Sequence, residues 1–120
     1  MAWRFNDHEA VFIQIADRIR AEILSGAYQP GQQIPPVRQL ASEAAVNPNT
    51  MQKALALLEE QGLVHSHGTV GRFITDDTAV IDSALEQMRR NTVRAWLSQA
   101  KELGISTEEL IQYIKKEGEA

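Results

Sequence analysis

The sequence contains no cysteine, no long apolar run and no excess of basic charge. The absence of cysteine excludes disulfides and thiolate metal sites, and it fits a reducing compartment. No apolar run approaches the ~20 residues that a membrane-spanning helix needs, and the N-terminus lacks the charged and then apolar pattern of a signal peptide. We therefore expect a folded cytoplasmic protein whose 120 residues form one compact domain and an appendage.

The missing basic excess bears on nucleic-acid binding, because such binding is usually electrostatic in large part. The net charge is -4. Basic and acidic side chains number 3 and 4 in residues 1–33, 3 and 3 in residues 34–74, and 6 and 9 in residues 75–120. The neutral central segment predicts modest nonspecific affinity, so DNA binding there would depend on a positioned dimer rather than on a basic patch.

Catalytic motifs are also absent, since we find no phosphate loop, Ser/His/Asp set or paired-carboxylate spacing. An enzyme is therefore disfavoured, and no cofactor is expected. His65 and His67 would share one face of a strand, close enough to bind a metal together. Polar residues of an exposed hairpin have the same spacing, and we assign no metal site.

The most informative stretch covers residues 46–55, which has the pattern of a helix with two opposed faces. Asn47 can cap this helix, Pro48 suits its first position, and Gly62 is a plausible stop. Apolar residues repeat at helical spacing on one face, and the other face carries Asn49, Gln52, Lys53 and Ala56. Amide and ammonium groups suit base edges, and the helix N-terminus suits a phosphate. An ordinary amphipathic surface helix would have the same pattern, so the flanking segments must decide.

The segments before this helix predict two more helices. Apolar spacing predicts helix one up to Gly26, preceded by an arm that docks through Trp3 and Phe5 or, alternatively, stacks on DNA. Helix two is expected over about residues 36–44, with Arg38 facing outward. A three-residue turn leads from it into the two-faced helix described above, which would be the DNA-reading helix. Together they predict a helix-turn-helix.

Two strand-like pieces follow, residues 63–67 and 72–75, and they predict a hairpin, or wing. Its tip is Gly68-Thr69-Val70-Gly71. We expect Lys53, His67 and Arg72 on one side of the domain. An unrelated three-helix bundle with a hairpin would have no reason to bring them together, so the pattern favours a winged helix-turn-helix domain over residues 1–75.

Residues 76–120 predict a helical tail. Helix four has two apolar stripes, whose proposed dimerisation residues are Ile81, Leu85, Met88, Val93, Trp96, Leu97 and Ala100. Gly104 should end this helix, and Ser106 with Glu109 has the pattern of a capping box for helix five. A two-helix hairpin cannot bury such a surface alone. We prefer self-association over packing against the winged domain, because reading helices act on paired half-sites. The expected fold class is α+β, mainly α.

Several short motifs, in this order and spacing, resemble the GntR family of bacterial transcription regulators. They are Ile13-Gln14-Ile15-Ala16-Asp17-Arg18-Ile19 with Ile23 and Gly26, Pro30-Gly31 to Ile34-Pro35, Val37-Arg38-Gln39-Leu40-Ala41, Asn49-Thr50 with Lys53-Ala54-Leu55, Leu58-Glu59 with Gly62-Leu63-Val64, and Gly71 with Phe73-Ile74. Residues 46–50 and the short tail resemble the YtrA branch, whose members are short, dimeric and often associated with transporter operons.

The resemblance implies a dimeric repressor of a small operon, and the pairing of two subunits implies a two-fold symmetric operator. It implies that Arg38 contacts DNA, and it assigns the wing to Gly71 and the recognition helix to Asn49, Thr50, Gln52 and Lys53. With Asn47, His67, Thr69 and Arg72, these form the predicted DNA-binding set. The family usually has Ser at the position of Pro36, so a helix cap is missing here. The alternative is a winged helix used only for protein contacts. A small effector between helix four and the winged domain also stays open.

Overall fold

The computed structural model describes residues 2–119. Within them it contains five helices and two strands in the order α1 (Val11–Leu24), α2 (Val37–Ala44), α3 (Pro48–Glu60), β1 (Val64–His67), β2 (Gly71–Ile74), α4 (Thr78–Glu102) and α5 (Thr107–Gly118). The predicted fold class, mainly helical with a small two-stranded wing, is confirmed. The chain divides into two compact units, Met1–Ala84 and Leu85–Ala120.

The first unit has its core between α1, α2 and α3. One face of α1 contributes Ile15 and Ile19, and the inward face of α3 contributes Met51, Leu55 and Leu58, all with at most 1% of their surface exposed. Burying each such side chain contributes about 1.5 to 3 kcal/mol before entropy is deducted. This apolar packing fixes the rotation of α3 about its axis, and it leaves the polar face of α3 outward.

The turn between α2 and α3 lies where the sequence predicted it. Ala45 ends α2 in the left-handed conformation, with φ of 59°, and the backbone N–H of Val46 donates to the carbonyl of Ala41 (3.0 Å). The Asn47 side chain then accepts a hydrogen bond from the Asn49 backbone N–H (2.7 Å), and Pro48 occupies the first helical position. The predicted helix-turn-helix and its cap are confirmed.

The wing is an antiparallel pair in which Val64 faces Ile74 and His67 faces Gly71. A third extended segment runs along the other side of β2. There the Ile34 N–H donates to the Arg72 carbonyl (3.0 Å), and the Ile74 N–H donates to the Gln32 carbonyl (2.8 Å). The extended segment before α2 therefore anchors the wing to the helical core.

The N-terminal arm docks on this unit, as predicted. Trp3 and Phe5 are half-buried against the core. The Arg18 guanidinium lies 4.0 Å from the centre of the Trp3 ring, and the Gln14 amide donates to the Asn6 carbonyl (3.0 Å). Both aromatics are thus engaged with the protein, which disfavours the alternative of stacking on DNA.

The start of α4 also belongs to the first unit. Val80, Ile81 and Ala84 pack against the core cluster of this unit. The structural division consequently falls after Ala84, beyond the expected boundary at residue 75. Ile81, which we predicted at a dimer seam, is half-buried and packs against the core of its own subunit.

The second unit contains the remainder of α4 and all of α5. The capping box is formed, because the Ser106 hydroxyl oxygen accepts from the Glu109 N–H (3.1 Å) and the Glu109 carboxylate accepts from the Ser106 N–H (3.2 Å). Among its described residues, Ala100 is the one buried apolar side chain, whereas Trp96 is 55% exposed and Leu103 is 78% exposed. No helix within residues 2–119 is long and apolar enough to cross a membrane.

Candidate nucleic-acid interface

The outward face of α3 presents Asn49, Gln52 and Lys53 as exposed side chains, with Thr50 half-buried beside them. Backbone donors at the start of this helix are already used. The Asn49 N–H is bonded to the Asn47 side chain, and the Thr50 N–H is bonded to the Asn47 carbonyl (3.0 Å). Asn47 is thus a cap, and the helix N-terminus can attract a phosphate through its dipole rather than through free N–H groups. The side chains must supply the hydrogen bonds.

Lys53 does not extend freely from this face. Its Nζ lies 4.3 Å from the centre of the Phe12 ring, at the start of α1, in cation–π geometry. This contact holds the ammonium near the surface of the domain while leaving the side chain exposed. The lysine charge is therefore positioned before any ligand arrives.

The wing is attached to α3 through Glu59. Its Oε1 accepts from Arg72 Nε on β2 (2.6 Å) and from the Ser66 hydroxyl on β1 (2.7 Å). Partial burial opposes ionisation of Glu59, but hydrogen bonds from Ser66 and Arg72, with the nearby charges of Arg72 and His65, hold the pKa of this carboxyl below its ordinary value. Arg72 also reaches Gln52, with Nη1 at 3.5 Å from Oε1. Gln52, Arg72 and Glu59 thus form one polar row.

The structure differs from the prediction that His67 and Arg72 would lie on the same side of the domain, because the two side chains lie on opposite faces of the wing. Ser66 and Arg72 are paired across the strands and turn towards α3, whereas His67 projects from the opposite face because side chains alternate along a strand. There His67 lies 5.1 Å from the Phe73 ring and 4.7 Å from the His65 ring, measured between ring centroids. The expected grouping of Lys53, His67 and Arg72 on one side is therefore wrong.

The histidine pair gains no third ligand in the described part of the chain. No group of three or more His, Cys, Asp or Glu side chains within residues 2–119 is arranged to hold a metal ion. The rings of His65 and His67 meet edge to face, and both contact Phe73. This geometry is that of an aromatic cluster on one face of the wing.

The wing tip is fixed from the side by Gln33, which sequence reasoning did not single out. Its Nε2 donates to the Val70 carbonyl (2.9 Å). Gly71 is tightly enclosed here: its φ is +136°, and an added Cβ would lie 2.7 Å from the Gln33 amide nitrogen. Thr69 and Val70 are exposed at the tip, in a turn closed by the Val70 N–H on the His67 carbonyl (2.9 Å).

Arg38 is the second residue of α2, and its side chain is exposed. The preceding Pro36 makes no side-chain cap, as expected from the missing serine. The polar side-chain group at the N-terminal end of α2 is therefore the Arg38 guanidinium, and no capping hydroxyl is present there. The structure brings Gln52 and Arg72 together, and it separates Arg72 from His67 on the wing.

Helix α2, the tight turn and helix α3 form a helix-turn-helix, and the β1–β2 hairpin is bonded to α3 through Arg72 and Glu59. This arrangement defines a winged helix-turn-helix protein. Residues 13–74 match the family described as bacterial regulatory proteins, gntR family. The chain belongs to this family of transcriptional regulators, and its class is a regulator rather than an enzyme.

Two relatives from Bacillus subtilis are similar over most of their length. The chain is 31% identical to the HTH-type transcriptional regulator YhcF over 112 residues, which cover 93% of each chain. It is 27% identical to the HTH-type transcriptional repressor YtrA over 108 residues, covering 88% of this chain and 82% of YtrA. These similarities support the YtrA-type branch.

Solved structures agree with the fold. A GntR family transcriptional regulator from Listeria monocytogenes matches with a TM-score of 0.88 and 32% identity, covering 93% of this chain and 98% of that one. AraR(DBD) in complex with operator ORE1 matches with a TM-score of 0.55 and 26% identity, covering 62% of this chain and 93% of that one.

Proposed function

We propose that this protein is a transcriptional repressor that binds a two-fold symmetric duplex operator as a homodimer. The observation that carries the proposal is the outward polar face of α3, where Asn49 and Gln52 stand beside a wing attached through Glu59 and Arg72. A helix of this kind fits the major groove, and amide side chains can donate to and accept from base edges there. A chromosome-binding role implies a cytoplasmic location.

The repressor assignment rests on the similarity to YtrA, which is described as a transcriptional repressor. The operator assignment is supported by the fold shared with AraR(DBD), which was solved with an operator bound. A small operon is the expected target. Transporter genes are the first candidates, because the YtrA branch is often associated with them.

The dimer is proposed to form through the second unit, residues 85–120. Much of its apolar surface is uncovered: Val93 and Trp96 on α4 and Ile111 and Ile114 on α5 are 45 to 55% exposed. Leu85, Met88 and Leu97 are partly exposed as well. Two short helices bury too little apolar area to be stable alone. A second copy presents the same surface and so supplies a matching cover, as two-fold interfaces do.

Charge gives a second reason for a dimer. Residues 34–74 carry three basic and three acidic side chains, so one subunit releases few counterions from DNA. Two linked subunits bind half-sites about one helical turn apart, and the second binding event is then intramolecular. The affinity of the proposed repressor would therefore depend on its pairing.

The competing function is a winged helix that serves only protein contacts. Fluorescence anisotropy distinguishes the two. Full-length protein is used to select duplexes from a random library, and the selected duplex is compared with a scrambled duplex of equal composition at several salt concentrations. Preferential binding of the selected duplex at moderate salt is the expected result, and equal binding of both duplexes would contradict the proposal.

A further inference from the structure

In the polar row formed by Gln52, Arg72 and Glu59, the chemistry of the side chains fixes which atoms donate hydrogen bonds and which accept them. Arg72 carries only donors, so the atom of Gln52 that faces it must be the amide oxygen. The contact between Arg72 Nη1 and Gln52 Oε1 is long, at 3.5 Å, whereas Arg72 Nε is held on Glu59 at 2.6 Å. Glu59 therefore fixes the guanidinium, and the free edge of the guanidinium faces the amide oxygen of Gln52.

The helix geometry makes this bridge feasible. Gln52 and Glu59 are seven residues apart, about 10 Å along one side of α3. Ala56 lies between them in the same row, and its side chain is a single methyl. A guanidinium with donors on both edges can span such a row, which the single ammonium of a lysine cannot do.

Arg72 is poorly placed to serve mainly as a phosphate contact. Its side chain is only 18% exposed, and its charge is offset by Glu59 at ion-pair distance. Ser66 donates to the same carboxylate oxygen from β1, so the wing is attached to α3 by two bonds at one atom. These contacts give Arg72 a role inside the protein rather than on the DNA backbone.

We propose that Arg72 is a specificity-determining positioning residue, which turns the amide of Gln52 so that its Nε2 group faces the DNA. This inference rests on the proposed DNA-binding function. An amide held in this way presents donors, and guanine offers two acceptors, N7 and O6, on its major-groove edge. A freely rotating Gln instead pairs with adenine, donating to N7 and accepting from N6. The orientation therefore favours guanine over adenine at the base read by Gln52.

The test is selection from a library of randomised duplexes by full-length protein, followed by sequencing. The wild type is expected to enrich guanine at one position in each half-site. Arg72→Lys keeps the charge beside Glu59 but loses the fork that reaches Gln52, so the guanine-to-adenine ratio at that position should fall roughly fivefold or more. The other positions and the salt dependence of binding should not change.

Two further variants connect the effect to Gln52. Gln52→Ala should flatten the preference at that position, and adding Arg72→Lys to Gln52→Ala should change nothing more. Glu59→Gln keeps the arginine but weakens its anchor, so it should move the same position in the same direction. It also serves as the second variant if Arg72→Lys folds poorly.

Several results would overturn the inference. An unchanged base profile in Arg72→Lys would do so, as would a loss spread over all positions, or an effect of Arg72→Lys that persists without Gln52. If Arg72 instead contacts a phosphate, Arg72→Met should reduce the salt slope of DNA binding by about one and leave the base preference intact. That result would also overturn the inference. If the wild type enriches no sequence at all, the proposed function itself fails, which is distinguishable from failure of Arg72 alone.

Discussion

The side-chain amide of Gln33 donates to the Val70 carbonyl at 2.9 Å and lies directly against the α-carbon face of Gly71. Gln33 belongs to the extended segment before α2, whereas Val70 and Gly71 belong to the wing tip. The position of the tip is therefore set by a residue that lies far from it in the sequence.

This contact predicts that Gly71→Ala damages the wing. The backbone φ of +136° is strained for any L side chain, and the new Cβ would approach the Gln33 amide nitrogen to 2.7 Å. We expect a loss of about 1 to 3 kcal/mol in the free energy of unfolding, measured by urea denaturation. The selected duplex should also bind more weakly in anisotropy titrations.

Gly68→Ala is the matched control for that variant. Gly68 also has a positive φ, +50°, but an added Cβ would meet nothing within 4 Å. Its cost should be about 1 kcal/mol, from backbone strain alone. Equal losses in both variants would mean that the Gln33 contact does not position the tip.

The attachment of the wing through Glu59 should depend on pH. Because the pKa of Glu59 is below its ordinary value of 4.5, its contribution is complete above that value and is lost as pH falls through the lower folded-state pKa. Glu59→Gln should therefore destabilise the protein by about 1 kcal/mol near pH 7, and this difference should shrink in acid. Urea midpoints at about pH 7 and about pH 3, at fixed ionic strength, measure it.

Glu60→Gln is the comparison for Glu59, since Glu60 is the next residue of α3 and is exposed. It should change the unfolding free energy by less than about 0.5 kcal/mol. A Glu59→Gln variant as stable as wild type at neutral pH would show that the carboxylate does not hold the wing.

Loss of Arg38 should weaken DNA binding broadly. Its exposed guanidinium at the start of α2 can reach a phosphate, and removal of one such contact lowers the salt slope by about one. Arg38→Ala should therefore bind all duplexes less tightly, whereas Arg38→Lys should retain most of the slope. If Arg38→Ala binds like wild type at every salt concentration, Arg38 does not contact the DNA.

Charge placed on the apolar surface of α4 should separate the proposed dimer. Trp96 is 55% exposed, and burial of such a side chain would contribute about 1.5 to 3 kcal/mol per subunit. Trp96→Asp should shift sedimentation towards the monomer and weaken binding to a symmetric duplex. Ser98→Asp adds the same charge on the opposite side of α4 and should remain dimeric. A monomeric wild type would refute the role of the second unit.

Much of the fold could be predicted because its signals are local. Asn47 and Pro48 specify the start of α3 within two residues, and Ser106 with Glu109 specifies the start of α5 in the same way. Each cap satisfies backbone donors a few residues away, so the chemistry is readable without knowledge of the tertiary structure.

The remainder depends on contacts between distant segments. The bond from Arg72 to Glu59 joins a strand to a helix, and the bond from Gln33 to Val70 spans 37 positions. Which face of the wing meets α3 depends on strand register, and a shift of one residue would exchange Arg72 for the other face. Ile81 likewise has a helical spacing that fits either a dimer seam or its own core, and its packing against the core of the first unit could not be predicted from that spacing.

The ion pair of Arg72 with Glu59 has a consequence for how a repressor of this kind would search a chromosome. An arginine whose charge is already offset contributes little to the sequence-independent attraction that retains proteins on bulk DNA. Genomic DNA offers a very large number of nonspecific binding sites. Occupancy of an operator depends on the protein molecules that these nonspecific sites do not bind. With a neutral segment over residues 34–74, a larger share of the molecules would stay free in solution. A smaller total amount of protein in the cell would then suffice to occupy the operator.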